Sequence, residues 1–332
     1  MILVRTSTSR IASFALAGIL GLSLASCSSD AADTTASETA APETAATETA
    51  APETAAEPTA APETTAAPPI DTAPAATATA MSAGCSNDKL VLKSTGQLTV
   101  GTDKPAYSPW FSNDDPANGK GFESALTYAI AEQLGFAKDK VKWTTVPFNS
   151  SYAPGSKDFD FDINQISITD ERKQVVDFSD GYYEVNQAIV ALNDSPAVAA
   201  TSAAELAKFK FGAQVGTTSL QFITDVVKPS SEPFVYDDTN AAKAALVSKQ
   251  IDAIVVDLPT AFYITAAEIE NSKVVGQFAA QGGGEQFGLL FEKGSALTPC
   301  VNEALAALRS SGKLAAIQES ELATATNAPL LK

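Results

Sequence analysis

The chain has 332 residues, 39 acidic against 22 basic, a formal net charge of −17 and no histidine. That balance argues against nucleic-acid binding, which wants a basic footprint. The missing histidine removes every imidazole base and every histidine metal ligand, and no metal or organic cofactor is expected.

Residues 1–27 place Arg5 and Arg10 ahead of an apolar run from Ile11 to Ala25 that is too short to span a bilayer comfortably. A basic start, an apolar middle and a small-residue end describe a secretory signal. It closes on Leu24-Ala25-Ser26-Cys27, which looks like a bacterial lipobox. Cleavage before Cys27 and lipidation of its sulfur would anchor the chain to the membrane without spanning it. An ordinary signal with a chance cysteine is the alternative. Residues 28–84 are nearly all Ala, Thr, Pro and Glu, with Glu38, Glu43, Glu48 and Glu53 recurring every five residues. Nothing there can build a core, and repeated prolines oppose a continuous helix, so a disordered tether is expected, spanning on the order of 40 Å. The tether carries nine acids and no base; after residue 84, 30 acids face 20 bases. In an exported protein, the two cysteines other than Cys27 are expected to pair, joining Cys85 to Cys300.

From residue 97 onward short β-branched or aromatic runs alternate with helical patterns. Strands are expected at Leu98–Gly101, Val141–Val146, Phe161–Ile163, Ala188–Leu192, Lys210–Ala213, Pro233–Tyr236, Ala253–Val256 and Phe287–Phe291. Helices are expected at Glu123–Leu134, Asn240–Ser248, Leu258–Ala267 and Pro299–Leu308, with another announced by the capping-box spacing Ser202-Ala-Ala-Glu205. This alternation predicts an α/β fold with mostly parallel sheets, whose ligands collect beyond the carboxyl ends of the strands.

The stretch Ile166-Ser-Ile-Thr-Asp-Glu-Arg-Lys-Gln-Val-Val-Asp-Phe-Ser-Asp-Gly-Tyr-Tyr183 resembles the signature segment of extracellular solute-binding proteins of the polar amino-acid uptake family. The resemblance extends over residues 95–320. It implies the two-lobed, periplasmic-binding-protein-like type II fold with a ligand cleft between the lobes. Lobe 1 would comprise residues 85–188 and the return segment 285–332, and lobe 2 residues 189–284. The chain would cross near Asn186–Ala191 and again near Gly282–Gly288, where a glycine run permits flexing or makes an ordinary loop.

The resemblance also implies a ligand set. Arg172 aligns with the family's carboxylate-binding arginine, a fork suited to bidentate capture. Ser167 would add a hydroxyl acceptor to the ammonium, or a backbone N–H to the carboxylate. Gly216-Thr-Thr-Ser219 looks like the family's second-lobe loop, with Thr218 facing the anion; alone it would read as a helix cap. Asp257 matches the ammonium-binding aspartate, although an aspartate before Leu258-Pro259 is also a natural N-cap. Tyr107 and Trp110 would form an aromatic wall, or Trp110 would belong to the core, and Phe148 would add a second apolar surface. Asp103 would face the far end of the ligand side chain. Asn164 and Gln165 depart from the small residues common at that point; they can contact a ligand directly and they add bulk.

Together these features predict a lipid-anchored, extracytoplasmic, monomeric binding protein that captures a polar amino acid, cationic or amide, and delivers it to an ABC permease and its ATPase. An enzyme on the same fold, such as a dehydratase, or a sensor passing occupancy to a signalling partner, are the alternatives.

Overall fold

The computed structural model describes residues 81–278, 284–322 and 328–331. Cys27, the tether as far as residue 80, and Gly282 and Gly283 lie outside the described residues. The chain begins with β1 (Leu98–Thr102), α1 (Phe122–Gln133), β2 (Val141–Thr145), α2 (Phe148–Ser151), β3 (Phe161–Asp162), α3 (Asp170–Lys173), β4 (Val176–Phe178) and β5 (Tyr183–Val185). It continues with β6 (Gln187–Leu192), α4 (Ala203–Leu206), β7 (Phe211–Gln214), α5 (Thr218–Phe222), β8 (Phe234–Tyr236), α6 (Thr239–Val247), β9 (Ala253–Asp257), α7 (Leu258–Tyr263) and β10 (Ser272–Phe278). The return brings β11 (Glu285–Phe287), β12 (Leu290–Glu292), α8 (Thr298–Ser310) and α9 (Lys313–Leu322).

Two five-stranded sheets, ordered β2-β1-β3-β12-β4 and β10-β6-β9-β7-β8, form the centres of two α/β lobes. β1 is parallel to both its neighbours, and β7 is parallel to both of its own. These strands are covered on both faces, as a parallel strand under helices must be. The sheets are less parallel than expected, because β12 lies antiparallel between β3 and β4 and β6 lies antiparallel between β9 and β10.

A third, two-stranded ladder pairs β5 with β11 and carries the crossings between lobes. The first crossing thus precedes the Asn186–Ala191 expectation, since Gln187 already pairs with Asp257 inside the second sheet. The expected strand Phe287–Phe291 is broken in two. A side chain at Gly288 would meet Ile168 and Phe178, so the backbone passes there at close range between β11 and β12. The sequence pattern did not announce β4, β5, β10 or α9. β10 carries a bulge between Val274 and Gly276 that breaks its alternation, and α9 buries only Leu314 and Leu322. Residues 328–331, expected in lobe 1, instead lie along β10: Leu331 N donates to Gln277 O at 2.9 Å, and Gln277 Nε2 donates to Ala328 O at 2.9 Å.

The first lobe's core gathers Leu98, Val100, Phe122, Ile130 and Phe161 with Val301, Leu305 and Leu308 of α8. Cys85 and Cys300 form a disulfide, with Cα atoms 5.2 Å apart, at the rim of this core. The second lobe has an apolar layer on each face of its sheet, one around Phe211 and Val255, the other around Leu246 and Ile254.

Candidate ligand-binding site

Expected ligand groups gather beyond the carboxyl ends of the parallel strands. Asp103 follows β1, Phe148 follows β2 and Asn164 follows β3. In the second lobe Thr218 follows β7, Thr239 follows β8, and Asp257 ends β9. Asp103, Tyr107, Phe148, Asn164, Gln165, Thr218 and Asp257 line one cavity of about 60 Å³, joined by Gln214, Thr217, Ser219, Thr239 and Thr260. Two carboxylates face it, and no lysine or arginine is on its wall. Room of that size holds a few waters, so a larger ligand requires the lobes to part.

Arg172 lines an adjoining, wider cavity of about 720 Å³ that shares Thr217 and Thr218 with the first. The residue as a whole is 7 % exposed. Nη1 donates to Ser167 O at 2.7 Å, and Nη2 donates to Gly216 O at 3.0 Å, so one side chain touches backbone of both lobes. The Tyr152 and Phe148 rings lie against it, at 4.6 and 5.5 Å from the guanidinium carbon. Burial lowers its pKa, which the charge of Glu285 partly opposes. Gly216 has φ +73°, and a methyl group there would overlap Asn149 Oδ1 and the Tyr152 hydroxyl. Glycine is therefore required where the second-lobe loop approaches the first lobe.

Asp257 occupies the N-cap position of α7, yet its side chain makes no cap hydrogen bond. Its Oδ1 instead accepts from Gln187 Nε2 at 3.0 Å. Burial raises its pKa well above the ordinary carboxylate value, and the negative charge of Glu285 adds to this. The same Gln187 Nε2 donates to Glu285 Oε2 at 3.0 Å, while Gln187 Oε1 accepts from Ser219 Oγ at 2.7 Å. Ser167 Oγ donates to Glu285 Oε1 at 2.5 Å and lies 3.2 Å from Thr218 Oγ1. Ser167 itself is 2 % exposed and does not face the inner cavity.

Asp103 accepts from the backbone N–H of Lys104 at 2.7 Å and of Phe148 at 3.1 Å, and burial raises its pKa. Gln165 has φ +47° and is held by the buried Glu123, which accepts from its backbone N–H at 2.7 Å and from its side-chain amide. Tyr182 donates to the same carboxylate. Burial drives Glu123 up to about 7. Gln165 is thus a pinned wall with its amide already engaged, while Asn164 Nδ2 has no partner among the described protein groups.

Trp110 is corrected from ligand wall to core. It is fully buried and meets Tyr183 and Phe287 edge-on at 5.3 and 5.4 Å. Its indole Nε1 donates to Thr260 Oγ1 at 2.8 Å, so it supports a wall residue. Sequence reasoning missed Glu123, Gln187, Ser219 and Glu285. For Glu285 the available signal was an acid directly after Gly282-Gly-Gly284 in an expected crossing. Among the described residues no group of three or more Cys, Asp or Glu is placed to hold a metal ion. None of their helices is long and apolar enough to cross a membrane.

Two strand-loop-helix lobes that bring acids, hydroxyls and one buried arginine together define a bilobed ligand-binding protein. Residues 98–323 match the family described as bacterial extracellular solute-binding proteins, family 3, and the chain belongs to it. A probable histidine-binding protein of Campylobacter jejuni is 32 % identical over 59 % of this chain and 72 % of its own. An L-arginine-binding protein of Pseudomonas aeruginosa is 30 % identical over 67 % and 89 %. Among solved structures, an ancestral arginine-binding protein bound to glutamine is 32 % identical, with a TM-score of 0.58 over 68 % of this chain and 97 % of that one.

Proposed function

We propose that this protein is the lipid-anchored capture component of an ABC importer for a polar amino acid with a cationic or amide side chain. The observation that carries this is the inner cavity, where Asp103 and Asp257 face a common space without a lysine or arginine beside them. Asp257 takes the ligand's ammonium, and Asp103, beside Phe148 and Tyr107, takes the far end of its side chain. Arg172 and Ser167, with Thr218 from the second lobe, take the carboxylate. A carboxylate accepts from an ammonium, a guanidinium or an amide, so the class spans basic residues and glutamine. An acidic side chain is repelled by Asp103.

Ligand bridging both lobes favours the closed arrangement, and that arrangement docks on the permease. Cys27 carries the lipid, and the tether lets the monomeric lobes turn near the membrane. Relatives named for binding arginine and histidine, rather than for a reaction, support capture without catalysis. A thermal-shift panel tests the ligand class: L-arginine, L-lysine, L-histidine or L-glutamine should raise the unfolding temperature, and L-glutamate should not. A flat response to the first four, or a shift with L-glutamate alone, overturns it. Labelling with a fatty acid in cells should vanish in Cys27→Ser.

A further inference from the structure

Glu285 belongs to β11, one of the two strands that join the lobes, and its carboxylate contacts both of them. Oε1 accepts the Ser167 hydroxyl at 2.5 Å from the first lobe, and Oε2 accepts Gln187 Nε2 at 3.0 Å from β6 of the second. The charge of Glu285 also acts on the Arg172 guanidinium. A serine hydroxyl has one proton and a glutamine amide two. The Ser167 proton is spent on Glu285, and the two Gln187 protons go to Asp257 and Glu285. The network is complete within the chain. A ligand carboxylate that is to receive the Ser167 hydroxyl must therefore take it from Glu285.

We propose that Glu285 is a specificity-determining residue, an internal carboxylate that occupies the carboxylate-binding hydroxyl, ties the lobes through Ser167 and Gln187, and must be displaced by the ligand's own carboxylate. This rests on the assignment of Ser167 and Arg172 to that carboxylate. Displacement lowers apparent affinity by the fraction of molecules in which Ser167 is free. The penalty falls on ligands that bring a carboxylate. A cationic analogue lacking one leaves Glu285 in place and even gains an acceptor.

Titration calorimetry on the purified protein tests this with two probes, L-arginine and agmatine, which is arginine without its carboxylate. Glu285→Gln keeps size but loses the charge and one of the two acceptor oxygens, and Glu285→Ala removes both contacts. Glu285→Gln should bind L-arginine about five- to tenfold more tightly, with agmatine unchanged or weaker. An unaltered ratio of the two affinities, or L-arginine binding weakened as much as in Asp257→Asn, overturns the proposal while leaving amino-acid capture intact. If the original protein binds neither these probes nor L-glutamine or L-histidine, the amino-acid assignment fails instead. X-ray scattering without ligand then decides on the tie itself. Glu285→Ala should enlarge the radius of gyration, and an unchanged profile in a variant with a cooperative unfolding transition overturns it.

Discussion

The first lobe offers a ligand aromatic rings, a carboxylate and a buried guanidinium; the second offers mainly hydroxyls, with a carboxylate of its own. Tyr107, Phe148, Asp103 and Arg172 come from one, and Gln214, Thr217, Thr218, Ser219 and Thr239 from the other, with Asp257 as its charged member. Both sets hang from the same strand order, in which β1 of one sheet and β7 of the other lie between two parallel neighbours. One scaffold thus carries two chemistries because the loops beyond the strand ends are free to vary while the apolar layers beneath are not. The large, rigid groups of the first lobe suit a fixed half-site, and the short hydroxyls of the second suit a face that arrives on closure.

This contrast breaks most strongly at the disulfide, which belongs to the first lobe alone. Replacing both Cys85 and Cys300 by serine should cost about 2–5 kcal/mol in urea unfolding, because the bridge closes a loop across 215 residues of sequence. The second lobe's sheet should keep its amide exchange protection. Equal loss of protection in both lobes would show that they unfold as one unit.

At the site, Asp257→Asn and Arg172→Ala should each weaken binding of the panel's best ligand at least about 100-fold, as loss of one partner of a buried charged contact does. Calorimetry should show this without loss of the cooperative transition. Normal binding in both variants would remove the two-lobed division of ammonium and carboxylate.

The acids also separate by pH. Glu123 rises from 4.5 to about 7 through burial, and Asp162 and Asp257 rise for the same first cause. A folded state that holds its protons more tightly than the unfolded chain loses stability as pH rises from the unfolded to the folded pKa. Stability should therefore fall between about pH 4.5 and 7, by on the order of 1–3 kcal/mol for Glu123 alone. Asp114 and Asp177, whose pKa values are lowered, act at more acidic pH and with the opposite sign. Glu123→Gln should flatten the slope in urea titrations across that window. A slope unaffected by the substitution would detach it from Glu123.

Smaller effects probe the meeting of the lobes. Gly216→Ala should weaken ligand binding about tenfold while moving the unfolding temperature little, since the added methyl strains a loop rather than a core. Trp110→Phe should cost about 2 kcal/mol of stability, for the lost hydrogen bond to Thr260 and the void left in the core.

Much of this was legible before any coordinates. Alternation of short β-branched, aromatic or apolar runs with helical spacing announced β1, β2, β6, β7 and β9, because buried strands are short and rich in such residues. Likeness to one family, carried by Ile166–Tyr183 and Gly216-Thr-Thr-Ser219, pointed to Arg172, Thr218 and Asp257; Thr218 and Asp257 line the inner cavity, and Arg172 lines the adjoining one with Thr218. Trp110 could not be assigned, since an aromatic residue after two prolines serves a cleft or a core equally, and only packing against Tyr183 and Phe287 decided it.

The sequence by itself was enough for the strands β1, β2, β6, β7 and β9 and for the helices α1, α6 and α8, because hydrophobic period, caps and composition act over a few residues. It also determined the chemical inventory, an acidic chain with one arginine in its signature and no histidine. Only the tertiary structure decided which groups are already spent on one another. The single proton of Ser167 goes to Glu285, and Gln187 is shared between two carboxylates. Hydrogen-bond saturation depends on distances between residues about 70–120 positions apart, and no local pattern encodes it.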